Sequence, residues 1–203
     1  MSAQKPITSV RATIFPTTMY DAAVIISLFL GEITYYVEVN PMIYDIATEP
    51  CGEQYCSFVN YAITHSDAVM LVFSIKKGSK LQGNVMRTIR KQLAQWRIKS
   101  RHDAQWPVTT TYDSKRNYTI DLYLPSQAVK NYLLTSNSLY AWGNNGTPED
   151  IAFFRRNQCW IATCSHEEFG WISLEEEPQA SFMQCLKKIP HPNDVTYYEC
   201  YKF

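Results

Sequence analysis

The chain reads as an α+β protein: a mixed or antiparallel sheet packed by a long basic amphipathic helix over about residues 79–101, followed by a C-terminal β-meander. Three observations predict this. Ala68 to Ile75 is an apolar run broken only by Ser74, as in a strand covered on both faces. Leu81, Val85, Ile89, Leu93 and Trp96 then recur at helical steps, one stripe of an amphipathic helix. Beyond Tyr118, short alternating runs are separated by polar turns, the pattern of consecutive strands.

Taken in order, Met19 to Leu30 suits either a helix or a buried strand, and Gly31 stops it. Glu32 to Val39 alternates as a strand and ends at Asn40-Pro41. The Ala68–Ile75 run is expected to be central, and the stripe helix, weakened early by Gly83, to extend to about Arg101. Val108 to Tyr112 and Tyr118 to Leu124 read as a hairpin joined by residues 113–117. Tyr118, Ile120, Leu122 and Leu124 would share its packed face, and Thr119, Asp121 and Tyr123 its wet one. Ser126 caps a short helix reaching Leu134. Strands follow at Ser138–Trp142, Ile151–Arg155, Gln158–Ser165 and Phe169–Leu174, then a helix at Pro178–Lys188 and a closing strand at Val195–Phe203.

At 203 residues and 46% hydrophobic, the chain suits one domain spanning 1–203, with a subdivision near residue 104 as the alternative. Nineteen basic residues balance nineteen acidic ones, so no global field draws it to nucleic acid or membrane, and electrostatic function requires local segregation. The start lacks an export signal, and Ala22 to Leu30 is too short to span a bilayer. A cytoplasmic location, no membrane association and free thiols at Cys51, Cys56, Cys159, Cys164, Cys185 and Cys200 are therefore expected. Asn117 and Asn145 head sequons that, in such a compartment, are turn residues.

Charge is segregated in one place. Lys76 to Arg101 holds nine Lys or Arg and no acid. On a helix, Lys80, Arg87, Arg90, Lys91 and Arg101 oppose the apolar stripe, with Arg97 at its flank. That strip suits phosphate or an acidic protein partner, because the guanidinium fork matches oxyanions; against this stands the bland reading of a solvated face neutralised by acids elsewhere. At its end, Arg97 and His102, with four residues between them, resemble the Arg-x4-His signature of HEPN-type ribonucleases. The resemblance implies an arginine stabilising phosphorane charge, a histidine acting as acid or base, and an all-helical fold.

The two Cys-x4-Cys spacings, Cys51/Cys56 and Cys159/Cys164, the second with His166 close behind, are only marginal for a structural zinc site. Strand alternation moreover puts Cys159 and Cys164 on opposite faces, so buried free thiols and no metal are expected. Cys164-Ser-His166-Glu167-Glu168 invites a thiol nucleophile, but a turn histidine bonded to backbone is the simpler reading. Phosphate loops, dinucleotide fingerprints and zincin or calcium motifs are absent from the sequence, so no cofactor is expected. Tyr140, Trp142, Phe153, Phe154, Trp160, Phe169 and Trp171 are expected mainly in the core.

These features predict a non-enzymatic cytoplasmic protein that binds a macromolecular partner, such as a bacterial or phage immunity or inhibitor protein. The strip Lys80, Arg87, Arg90, Lys91, Arg97 and Arg101 would favour an acidic protein. Glu167, Glu168 and Glu175 to Glu177 form an opposing acidic region. The alternative is a nucleic-acid-binding protein or ribonuclease using residues 76–102. A hydrolase built on Cys164 or His166 is the third reading.

Overall fold

The structure, a computed structural model, describes residues 23–29, 32–38, 42–143, 146–174 and 186–188, in two units, Met1–Asn40 and Pro41–Phe203. In the first unit, β1 (Ala23–Phe29) pairs antiparallel with β2 (Glu32–Glu38), in register from Ala23 opposite Glu38 to Phe29 opposite Glu32. The ambiguous first segment is thus a strand, in keeping with its Val-Ile-Ile run.

The second unit is built on one antiparallel sheet. In chain order its elements begin with β3 (Met42–Ile46), α1 (Glu53–Thr64), β4 (Ala68–Lys76) and α2 (Lys80–Gln92). A 3-10 turn at Ala94–Trp96 leads into β5 (Arg97–Arg101), β6 (Gln105–Trp106), β7 (Thr109–Thr110) and β8 (Arg116–Tyr123). Then come α3 (Gln127–Leu133), β9 (Pro148–Arg155), β10 (Gln158–Cys164), β11 (Phe169–Leu174) and β12 (Leu186–Lys188). Eight strands lie in the order β12-β3-β11-β10-β9-β4-β8-β5, drawing on both sides of residue 104, while β6 and β7 pair separately.

β4 shows why its sequence is continuously apolar. Val69, Leu71 and Phe73 pack toward Tyr55, Phe58, Val59 and Ala62 of α1, Ile89 of α2, and Val129 and Leu133 of α3. Met70 and Val72 face the other way, into a second cluster with Trp106, Ile120, Leu122, Ala152, Phe154 and Trp171. Helices therefore cover one face, and the 105–110 segment, led by buried Trp106, covers part of the other. Burying a large apolar side chain in either cluster contributes roughly 1.5–3 kcal/mol.

Several expectations are corrected. The stripe helix ends at Gln92, not near 101. No apolar residue continues the helical stripe beyond Trp96, and β8 offers its edge, so residues 97–101 pair with it from Arg97 opposite Tyr123 to Arg101 opposite Ile120. Ile89 and Leu93 are buried as the stripe requires, but Leu81 in the first turn is exposed. Tyr118 to Leu124 does not form a hairpin with Val108 to Tyr112: β8 pairs with β4 and β5 instead. Its wet face is not wet either, because Thr119, Asp121 and Tyr123 are all buried.

Ser138 makes only an isolated bridge to Cys51, so no strand forms at 138–142. β9, β10 and β11 are sequential antiparallel neighbours, and the first two are joined by Arg156-Asn157, both at positive φ (50° and 63°), which matches the twist of a tight hairpin. Leu186–Lys188 is a strand against β3 rather than the end of a helix. The rest of that predicted helix, the Val195–Phe203 strand, Glu175 to Glu177, Asn145, Cys185 and Cys200 lie outside the described residues.

Ser126 caps α3 as expected, its hydroxyl accepting from the Val129 N–H. Ser126→Ala is expected to cost about 1 kcal/mol, read as a shift in the urea midpoint with an unchanged slope. Gly146, at φ 90°, is required by contact: a Cβ there would collide with the Gln82 carbonyl, so the approach to β9 lies directly on the first turn of α2.

Candidate functional site

The cationic strip is divided by the fold. Lys80, Arg87 and Lys91 are exposed on α2, with Arg87 donating to the Asn84 side chain. Arg90 instead turns inward and holds buried Asp121 with two bonds, Nε to Oδ2 at 2.5 Å and Nη2 to Oδ1 at 3.0 Å. Arg97 Nη1 stands 3.6 Å from the same Oδ2, and the Tyr123 hydroxyl donates to it at 2.9 Å. Arg101 approaches Asp103 at 3.5 Å. Arg90 and Arg97 thus anchor α2 and β5 to β8, and the outward charge of α2 rests on Lys80, Arg87 and Lys91, the last part of the helix lying against the edge strand β5 through the Arg90 to Ser100 bond.

Arg97 and His102 do not meet as the ribonuclease resemblance implies. The segment is an edge strand rather than a helix. Arg97 is directed to Asp121, while His102 Nδ1 lies 3.1 Å from the Tyr118 carbonyl and 3.2 Å from the Thr119 hydroxyl.

On the sheet face away from the helices, a cleft of about 1120 Å³ gathers side chains that no sequence motif joins. Trp106, Thr109 and Tyr118 line one part, and Glu149, Cys164, His166, Glu167, Phe169 and Trp171 the rest. The pairing of β4 with β9 skips Glu149, since Val72 faces Asp150 and Phe73 faces Pro148. Such a bulge departs from strict alternation, and neighbouring Glu149 and Asp150 both come within reach of His166. β10 ends at Cys164 and turns through a 3-10 turn at Ser165–Glu167, which brings His166 back over the thiol at 3.5 Å from Nδ1 to Sγ.

Asp150 is the fixed point of the cleft. Its Oδ1 accepts the Ser165 N–H at 2.8 Å, and its Oδ2 accepts Trp106 Nε1 at 2.7 Å and the Thr109 hydroxyl at 3.4 Å. The Thr109 hydroxyl also lies 3.6 Å from Cys164 Sγ. His166 is half exposed and faces Glu149 at 3.7 Å and Glu167 at 3.8 Å. Asp150, Cys164 and His166 present three ligand-type atoms within 4.8 Å of one another.

No family model, curated protein or solved structure matches this chain. What the cleft can do must therefore be read from its own chemistry.

Burial pushes the Asp150 carboxyl up to about 6, despite the donors from Ser165 and Trp106 that favour its anion. Burial, and then the charge of Asp150, push the Cys164 thiol up to about 11. At neutral pH that thiol keeps its proton, which is the opposite of what a nucleophilic cysteine needs. His166 lies in the turn, but its ring is directed to the side chains of Cys164, Glu149 and Glu167 rather than to backbone.

The other cysteine expectations divide. Cys159 and Cys164 are buried free thiols, whereas Cys51 and Cys56 are free but exposed. An irregularity in the β9–β10 pairing between Cys159 and Ile161 shifts alternation by one, so Cys159 joins Ala162 in the second cluster, on the side where Cys164 lines the cleft, and the two cysteines do not point to opposite faces as expected. Tyr140, Trp142, Phe153, Phe154, Trp160 and Trp171 are buried as expected, and Phe169 is half-buried at the cleft. Among the described residues, the large exposed apolar side chains are Leu81, Ile98, Tyr112 and Leu124.

Sequence reasoning missed Asp150, Glu149, Trp106 and Thr109 as site residues. Glu149-Asp150, two acids entering an apolar strand, was a visible signal for at least one buried carboxylate needing partners.

Proposed function

We propose that the protein is a non-enzymatic cytoplasmic binding protein that recognises an acidic protein partner, the class of which immunity and inhibitor proteins are examples. The observation that carries this reading is the outward group Lys80, Arg87 and Lys91 on α2, whose last turn lies against the edge strand β5 with its exposed Ile98. Strand edges accept extended partner segments through backbone hydrogen bonds. Basic side chains flanking such an edge favour an acidic segment and accelerate its arrival. A protonated Cys164 supports the absence of thiol catalysis, and four free thiols among the described residues fit a reducing compartment.

Anisotropy titrations with labelled polyglutamate and with duplex DNA and RNA test this at low salt. Polyglutamate is expected to bind, and the combined Lys80→Glu, Arg87→Glu, Lys91→Glu variant to associate about 10-fold more slowly or worse. Tighter binding of DNA or RNA would support the nucleic-acid reading instead. Equal binding by the variant, or no polyanion binding, would remove the strip from function.

A further inference from the structure

We propose that Glu149, Asp150, Cys164 and His166 form a zinc-class metal site whose ion fastens the 105–110 segment and the Ser165–Glu167 turn onto the sheet. The donor set joins one sulfur, one imidazole nitrogen and carboxylate oxygens, which suits a borderline-soft divalent ion such as Zn²⁺. The spacing suits it as well. With zinc–sulfur near 2.3 Å and zinc–nitrogen near 2.0–2.1 Å, two tetrahedral ligands stand about 3.5 Å apart. Cys164 Sγ and His166 Nδ1 are 3.5 Å apart, and Nδ1 to Glu149 Oε1 is 3.7 Å.

A further observation points to a cation. Glu149 Oε2 and Ser165 Oγ are buried without a hydrogen-bond partner in the structure, one on a proposed ligand and one between two of them in the chain. Orphaned polar atoms of this kind carry a desolvation cost that an ion or its coordination would offset.

The groups around the ligands are those a metal site needs. Trp106 Nε1, Thr109 Oγ1 and the Ser165 N–H all donate to Asp150, and Thr109 also touches the thiol. Such outer partners fix ligand orientation. Four protein ligands would close a tetrahedral shell, as in structural zinc sites, so the site is compatible with a binding protein. It does not depend on the polyanion reading, since it uses none of the α2 cations.

The test is titration of chelator-stripped full-length protein with Zn²⁺ and with Co²⁺. One equivalent is expected to bind with a rise in Tm, and cobalt to show a thiolate-to-metal charge-transfer band with the visible bands of tetrahedral geometry. Cys164→Ser should abolish the charge-transfer band. His166→Ala, at a half-exposed position whose loss leaves the core intact, should weaken binding by roughly 10-fold or more while the metal-free Tm stays at the wild-type value. No charge-transfer band at excess cobalt, a full band in Cys164→Ser, which would place the metal on other cysteines, or unchanged affinity in His166→Ala would each overturn the site.

Discussion

Arg90→Ala is expected to lower the unfolding free energy by about 3–5 kcal/mol, the cost of stranding one partner of a buried ion pair. Asp121 is wholly buried on β8, and Arg90 supplies both of its bidentate bonds. Without Arg90, Asp121 keeps the Tyr123 hydroxyl at 2.9 Å and Arg97 at 3.6 Å, too little to compensate a desolvated anion. Arg90 also donates to Ser100 on β5, so its loss loosens α2 and the edge strand together. Arg90→Lys should recover only part of the loss, because an ammonium cannot reproduce the fork. Arg87→Ala and Lys91→Ala, exposed on the same helix, should stay within about 0.5 kcal/mol. Urea unfolding at pH 7 reads all four variants. A loss below about 1 kcal/mol for Arg90→Ala would show that Arg97 and Tyr123 suffice to hold Asp121.

That contrast explains how far the sequence could be read. Helical period identified α2, because Ile89 and Leu93 do bury, and period-2 alternation located β9, β10 and β11. The same stripe could not reveal where the helix stops: Arg97 to Arg101 leave it only because β8 offers unpaired backbone groups, a tertiary fact. α1 was legible and missed, since Tyr55, Phe58, Val59 and Ala62 recur at helical spacing. The strip of cations was visible, but its division was not. Whether Arg90 faces water or Asp121 depends on where β8 places residue 121, thirty-one positions on.

The cleft was less legible still. Cys164 and His166 were visible as neighbours, but a bulge at Glu149 and a two-residue strand carrying Trp106 assemble the rest. Neither leaves a periodic trace in one sequence. The expected hairpin at 108–124 failed for a related reason: β8 buries both faces, and an apolar alternation with Asp121 and Thr119 on its second face looks half-solvated until their partners are known.

Trp106→Ala is expected to cost about 3–5 kcal/mol at pH 7.5 in the presence of a chelator, the usual range for truncating a buried Trp. The ring packs against Tyr118 with centroids 5.2 Å apart and fills the second core cluster, while its Nε1 bonds Asp150. Trp106→Phe separates these roles. It keeps most of the apolar burial and deletes the donor to a carboxylate, a bond worth about 1.5–3 kcal/mol when one partner is charged.

The Trp106→Phe penalty has a defined pH dependence. The folded-state pKa of Asp150, about 6, lies above its unfolded value of 3.8, so the folded state binds the proton more tightly and Asp150's contribution to stability is lost as pH rises between these values. Trp106 opposes that trend by stabilising the anion. Removing its donor pushes the folded pKa higher, so the loss of stability continues beyond pH 6 in the variant after it has levelled off in the wild type. The difference between the two proteins should therefore be small near pH 5 and larger at pH 7.5. Urea midpoints measured at both values decide it: a pH-independent penalty would mean that Trp106 acts through packing alone, and that Ser165 and Thr109 hold the Asp150 carboxylate without it.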